Sequence, residues 1–248
     1  MLKPLTHYCE ISEDGVVLGM TVPLHKAIDW TSFDVVNKCR YVTGFKKVGH
    51  AGTLDPFAEG VLILGFGKHT KLLDTHKDKN KVYRVDIELG KETDTQDREG
   101  QILKSSEVSR TGTPWGDSPP TLDDIQAVLP QFRGDITQIP PMHSAKKVKG
   151  KRLYTLARAG KIIERDPIHV RINALDILEY EWPRLTCRVN CSTGTYIRTL
   201  AADIGSALGC GAYAHALVRE QIGDVTLDEC YTIEEFIEAW KSIAHLTK

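Results

Sequence analysis

The sequence predicts an α+β fold. Residues Val82 to Leu89 alternate Val82, Arg84, Asp86 and Glu88 with Tyr83, Val85, Ile87 and Leu89, the period-two pattern of a half-buried strand with Tyr83 on its inward face. Two helices are marked by their caps: Thr121 precedes Asp123 and Asp124, and Thr232 stands three residues before Glu235. Strands and helices then follow one another without the regular βαβ alternation of a doubly wound sheet.

Taken in order, Val16 to Val22 is a short apolar run and reads as a strand. Thr31 or Ser32 caps a helix running to about Tyr41, with Phe33, Val36 and Val35 or Cys39 facing inward and Gly44 closing it. Lys46 to Phe57 is a Gly- and Pro-containing loop, Val61 to Phe66 a buried strand, and Lys68 to about Asp74 a short helix. Ser105 to Pro120, rich in Ser, Thr, Gly and Pro, is a loop before the helix from Leu122 to about Leu129. Phe132 to Lys149 is polar, holds the Pro140-Pro141 pair and shows no clear period; Lys151 to Ala159 reads as a helix ending at Gly160. Ile168 to Tyr180 and Arg184 to Cys191 are strands joined by a turn at Trp182-Pro183. Tyr196 to Leu208 is a helix stopped by Gly209 and Gly211, and the last helix runs from Ile233 to about His245.

With 248 residues, 41% hydrophobic and 26% charged, the composition is globular and excludes a disordered, collagenous or coiled-coil chain. The length allows one large domain or two small ones. The longest apolar run, Val61 to Leu64, is far short of the roughly 20 residues of a membrane span. The first ten residues include Lys3, His7 and Glu10 and lack the apolar core of a signal peptide. Six scattered cysteines with no Cys-x-x-Cys pair read as reduced thiols of a cytoplasmic protein, and their spacing does not suit zinc.

Thirty-two basic and 33 acidic side chains nearly cancel, yet they are segregated. Lys146 to Lys161 holds seven cations (Lys146, Lys147, Lys149, Lys151, Arg152, Arg158 and Lys161) and no acid. A second basic stretch runs from Lys68 to Arg84, and Asp228 to Glu238 is acidic. Such a stripe suits a polyanion, and equally an ordinary solvated helix face.

Two stretches carry chemistry. In Gly49-His50-Ala51-Gly52-Thr53-Leu54-Asp55-Pro56, Pro56 pushes Asp55 into an extended conformation, and the glycines let backbone approach a ligand. A carboxylate on such a loop can be presented into a cleft; the alternative is a turn in which Asp55 only caps amides. In Cys191-Ser192-Thr193-Gly194-Thr195-Tyr196-Ile197-Arg198-Thr199-Leu200, Arg198 lies in the first helical turn, against the macrodipole. A carboxylate or phosphate partner would hold it there; the alternative is a solvated arginine.

Gly-His-Ala-Gly-Thr-Leu-Asp-Pro with Gly60-Val61-Leu62 resembles the catalytic-aspartate motif of the TruB family of pseudouridine synthases. Lys81-Val82-Tyr83-Arg84-Val85 resembles its tyrosine motif, Pro140-Pro141-Met142-His143-Ser144-Ala145-Lys146-Lys147 its thumb-like RNA-contacting insertion, and Gly194 to Leu200 its arginine motif. The resemblance runs in family order from about Leu18 to Leu227.

It implies a single catalytic domain over 1–248, a mixed and mostly antiparallel sheet flanked by helices, and a thumb at about 132–160. It implies isomerisation of a T-loop uridine of tRNA to pseudouridine, by base flipping, with no metal, cofactor or guide RNA. The implied catalytic residues are Asp55, which assists cleavage at C1′, Tyr83, which stacks on the extruded base, and Arg198, the cation partner of Asp55. The implied substrate-binding residues are His50, Tyr196 and Lys26, with Lys146, Lys147, Lys149, Lys151 and Arg152 gripping T-arm phosphates. We expect a monomer, in the cytoplasm and off the membrane, without the C-terminal PUA domain common in the family.

Departures from the family pattern stand out. An Asp-Lys-Pro-x-Gly-x-Thr-Ser pattern reads His25-Lys26-Ala27-Ile28-Asp29-Trp30-Thr31-Ser32 here; Glu59 replaces a common threonine, His143 a common tyrosine, and a Leu-Arg-Arg motif reads Leu217-Val218-Arg219. A non-catalytic RNA-binding or tRNA-folding protein on the same scaffold is the alternative; it would not need Asp55. A glycoside hydrolase would need a second acid and would leave the basic stripe unexplained.

Overall fold

The structure, a computed structural model, describes residues 2–105, 118–144, 146–148, 150–158, 160–161 and 163–247. Lys149 and most of the expected loop between Ser105 and Pro120 lie outside the described residues. The chain divides into two compact units, Met1–Tyr83 with Val218–Lys248, and Arg84–Leu217. Both crossings fall inside strands, so no Gly- or Pro-rich linker marks them in the sequence.

The first unit opens with β1 (Cys9–Ile11), β2 (Val17–Lys26), α1 (Ser32–Thr43), β3 (Val48–Ala51), β4 (Ala58–Gly67) and α2 (Leu73–Lys77). β4 lies between β2 and β3, antiparallel to both, with Lys26 opposite Gly60 and Ala51 opposite Ile63. Flanked on both sides and covered on both faces, β4 is apolar almost throughout, which is why the run Val61–Leu64 shows no alternation. One face packs Met20, Val22, Leu24, Leu62, Leu64 and Phe66 against Val35, Val36 and Cys39 of α1 and against Phe236 and Trp240. The other packs Val61 and Ile63 with Leu73, Ile222 and Cys230.

α1 shows how the cap is chosen. Thr31 accepts from the Asp34 N–H at 3.0 Å, Asp34 accepts from the Thr31 N–H at 2.9 Å, and Gly44 at φ 74° closes the helix. The expected inward set is right for Val35, Val36 and Cys39, but Phe33 points outward and is 60% exposed. Leaving it in water forgoes about 1.5–3 kcal/mol of burial.

The chain enters the second unit in β5 (Lys81–Leu89), followed by β6 (Lys91–Thr93), β7 (Ile102–Ser105), α3 (Leu122–Val128) and β8 (Gly134–Gln138). A short hairpin, β9 (Lys147–Val148) and β10 (Lys151–Arg152), turns at Gly150 and leads into α4 (Leu153–Arg158). The expected helix from Lys151 therefore starts two residues later, because a hairpin precedes it. β11 (Ile168–Glu181) and β12 (Arg184–Cys191) form the long hairpin that the Trp182-Pro183 turn foreshadows, and α5 (Ile197–Ala207) follows. β5, β12, β11 and β8 are neighbours in that order. β13 (Ala212–Ile222) returns to the first unit, which ends with β14 (Val225–Thr226) and α6 (Ile233–Ile243).

The class is α+β, as expected, and the pairs β1–β2, β2–β4, β3–β4, β6–β7, β8–β11, β9–β10, β11–β12 and β13–β14 are antiparallel. Among the described residues no helix is long and apolar enough to cross a membrane.

Candidate active site

In the first unit His50 lies in β3, and the loop that follows, before β4, carries Asp55. A tight turn returns it, with the Ala58 N–H donating to the Asp55 carbonyl at 3.1 Å. Every backbone carbonyl from residue 52 to 56 has a protein donor. Arg219 donates to Gly52 O at 3.0 Å and to Thr53 O at 3.4 Å. Ser32 Oγ donates to Leu54 O at 3.1 Å and accepts from Leu54 N at 2.9 Å. Pro56 O accepts from the Asp29 N–H at 2.9 Å and from Lys26 Nζ at 3.3 Å. A loop whose carbonyls are all engaged has little freedom to rearrange, and Asp55, half-buried, sits at its apex.

Two buried cations do most of this. Arg219, 1% exposed, also donates through Nε to Val61 O at 2.8 Å. Its strand passes so close to Gly60 that a Cβ there would lie 2.3 Å from the Arg219 carbonyl oxygen, and Gly60 has φ 117°. Lys26, wholly buried, also donates to Ala27 O at 2.9 Å and Trp30 O at 2.6 Å. This places Lys26 behind the loop as a positioning residue, rather than at a surface where it would meet phosphate. Asp29 occupies the glycine position of the family pattern, and its φ of 67° is the left-handed conformation a glycine there would serve. His25, a further departure from that pattern, pairs at 3.1 Å with Glu59, which stands where family members commonly have a threonine.

Burial pushes the Lys26 ammonium down to about 8, with Asp55 opposing that shift and Arg219 adding to it. Its folded pKa lies below the ordinary 10.5, so between these values the unfolded chain binds more protons and stability rises with pH. Lys26→Met is expected to remove that rise, of at most about 1.4 kcal/mol per pH unit, from unfolding curves measured between pH 8 and 10.5. An unchanged slope would mean that Lys26 is not the titrating group.

Burial, and next the Arg219 charge, push His50 below its ordinary value, so the imidazole is neutral at pH 7. Its Nδ1 is buried without a hydrogen-bond partner among the described residues. Tyr83, 8% exposed, closes this unit's part of β5. The strand's entry is held by Lys81, whose ammonium donates to the carbonyls of Lys77 and Lys79.

In the second unit Arg198, 4% exposed, is fixed at the start of α5. Its Nη1 donates to Asp97 Oδ2 at 3.0 Å and Thr95 O at 2.8 Å, and Nη2 to His143 O at 2.7 Å. Asp97 is itself built in, accepting from Thr95 Oγ1 at 2.6 Å and Glu99 N at 3.0 Å. The adverse macrodipole is therefore offset by a buried carboxylate, and the solvated alternative for Arg198 falls away. Tyr196 caps α5 by a two-way amide bond: its N–H donates to Gln138 Oε1 at 3.0 Å, and Gln138 Nε2 donates to its carbonyl at 3.1 Å. Lys146 is half-buried, and its carbonyl accepts from the Leu153 N–H at 2.9 Å. Lys147 lies in β9, and Lys151 and Arg152 in β10.

Sequence reasoning missed Asp97, and it named Ser32 and Arg219 only within family-pattern segments, without their hydrogen bonds to the Asp55 loop. Asp97 had a local signal, the Thr93-to-Gly100 turn between two strands, dense in Thr and Asp. Arg219 stands in a family motif, but nothing local marks it as the loop's donor, since its loop partners lie 166 and 167 residues away. Among the described residues no three His, Cys, Asp or Glu side chains converge as metal ligands would.

Comparison with known proteins gives the family. Residues 40–197 match the family described as TruB family pseudouridylate synthase (N terminal domain), and residues 198–246 match the tRNA pseudouridylate synthase B C-terminal domain. The chain is 45% identical over 225 residues to a tRNA pseudouridine synthase B of Pseudomonas putida, covering 91% of this chain and 69% of that one. It is 46% identical over 222 residues to the protein of the same name from Thiobacillus denitrificans, covering 90% and 70%. Among solved structures, a chain from a Cbf5-Nop10-Gar1 complex superposes with TM-score 0.69 at 24% identity, covering 99% of this chain and 61% of that one, a likeness of fold.

Proposed function

The chain belongs to the TruB family of pseudouridylate synthases, and on that premise we propose that it isomerises a T-loop uridine of tRNA, at position 55, to pseudouridine. The observation that carries the reading is the Asp55 loop, with each carbonyl from residue 52 to 56 engaged and two buried cations behind it.

The reaction breaks N1–C1′, turns the uracil and forms C5–C1′; C5 gives up a proton and N1 gains one. Cleavage builds positive character at C1′, and an ionised carboxylate held there stabilises it. Lys26 and Arg219 favour that ionised form from behind the loop. Arg198, fixed by Asp97 and two carbonyls, is the further cation that the family resemblance pairs with Asp55. Tyr83 offers the face on which the flipped base stacks, and neutral His50 helps arrange it. Tyr196 walls the pocket.

Lys146, Lys147, Lys149, Lys151 and Arg152 grip T-arm phosphates and set register without reading sequence. Affinity then falls steeply with salt. The enzyme works in the cytoplasm as a monomer, without guide RNA or cofactor. A protein that only binds or folds tRNA would have no use for a carboxylate held this rigidly.

The test is tritium release from a tRNA transcript labelled at uridine C5, beside a transcript whose T-loop target is cytidine. Release from the first alone supports the reading. Release from neither, or equally from both, contradicts it.

A further inference from the structure

We propose that the outward face of α1, made by Phe33, Asn37, Arg40 and Tyr41, is a platform on which unpaired bases of the substrate RNA stack. The proposal rests on the RNA-modifying reading and adds a contact that the catalytic motifs do not include.

Phe33 is 60% exposed and Tyr41 87% exposed, on a helix whose inward side is already filled by Val35, Val36 and Cys39. At about 3.6 residues per turn, Phe33, Asn37, Arg40 and Tyr41 fall on one side. Lone exposed apolar residues need no explanation; two aromatics on one helical side with an amide and a guanidinium between them have the composition of a base-stacking surface. Arg40 is oriented by Asn37, its Nη1 donating to Asn37 Oδ1 at 3.2 Å. Its Nε is buried and without a hydrogen-bond partner among the described residues, so only the outer edge of the guanidinium faces the platform.

The charge suits a polyanion. From Phe33 to Lys47 there are four cations (Lys38, Arg40, Lys46 and Lys47) and one acid, Asp34. Asp34 is taken up by the cap, accepting from the Thr31 N–H and hydroxyl. The face is also tied to the chemistry. Phe33 follows Ser32, whose hydroxyl holds both backbone groups of Leu54, the residue before Asp55. The span from Phe33 to Tyr41 is about 12 Å, room for about three bases at ~3.4 Å each. Flipping the target leaves its T-loop neighbours unstacked, and a flat aromatic surface accepts them whatever their identity.

The experiment uses the full chain, with Phe33→Ala, Tyr41→Ala and Phe33→Trp. Binding of a T-arm stem-loop RNA is read by fluorescence anisotropy, and turnover of tRNA by tritium release. Both alanine variants are expected to raise Kd and KM roughly 5- to 100-fold, with kcat at saturating tRNA within about twofold of wild type. Phe33→Trp is expected to restore wild-type Kd, because a larger ring stacks as well or better. The thermal midpoint should not move, since neither side chain is in the core. Unchanged Kd and KM in both alanine variants would overturn the proposal, as would alanine variants that change the sedimenting mass, which would make the face a self-interface. If the wild type turns over tRNA and the variants match it, only this proposal falls. If the wild type neither binds nor turns over tRNA, the functional reading falls and takes the platform with it.

Discussion

Arg219→Met is expected to cost about 3–5 kcal/mol of stability and to lower kcat far more than it raises KM. Arg219 is 1% exposed and donates to the carbonyls of Gly52, Thr53 and Val61. Methionine fills much of the same space but donates nothing, so three acceptors lose their donor, each at about 1–3 kcal/mol before relaxation. Two of them belong to the Asp55 loop. A loop that shifts by about 1 Å can lose about 100-fold in rate, and little change in tRNA affinity is expected because the residues proposed to grip phosphate are not on that loop. Thermal unfolding and single-turnover kinetics check the two halves separately. A variant of normal stability and normal kcat would mean the loop holds its shape without Arg219. Arg219→Lys is not expected to rescue, since one ammonium cannot reach three carbonyls with the geometry of a planar fork.

The second large effect is at Asp97. Its side chain is 5% exposed and meets Arg198, 4% exposed, at 3.0 Å. Asp97→Ala leaves a buried guanidinium short of its carboxylate, a loss of about 3–5 kcal/mol. For a chain of this size that lowers the midpoint on the order of 10 °C. Asp97→Asn keeps the shape and an acceptor, and should recover part of the stability. Activity should follow Arg198: if the guanidinium turns without Asp97, kcat falls even where the protein is folded. Equal midpoints for wild type and Asp97→Ala would show that the two backbone carbonyls on Arg198 suffice.

Local signals were legible wherever a few neighbouring residues decide the outcome. The Thr31, Thr121 and Thr232 caps all form capping boxes with the acid three residues on. The period-two run at Val82–Leu89 is a strand, and the strand pair around Trp182-Pro183 is a hairpin. β13 escaped notice because its burial follows no alternation, with three buried residues in succession at its start. β3 escaped because four residues inside a glycine-containing stretch give no period to read. Phe33 was read as core because an apolar residue at a helix start usually is, and only packing shows that Val35, Val36 and Cys39 suffice.

The site divides the same way. Asp55, Tyr83 and Arg198 stand in motifs that can be quoted from the sequence. The groups that fix them, Arg219, Ser32 and Asp97, act through contacts 22 to 167 residues away. A single sequence carries no trace of such pairs. Lys26 was legible as a motif residue but not as a buried one, since nothing local distinguishes a lysine on three carbonyls from one on a phosphate.

The central claim is that Asp55, held ionised at the apex of a fixed loop, carries the isomerisation. The most direct measurement is tritium release from tRNA labelled at uridine C5, comparing wild type with Asp55→Asn at equal tRNA saturation. Asparagine keeps the size and the backbone turn but has no charge to oppose that at C1′. The expected result is release by the wild type, a loss of at least about 10⁴-fold in Asp55→Asn, and tRNA affinity and thermal midpoint close to wild type. Release by Asp55→Asn at a rate near wild type would contradict the account.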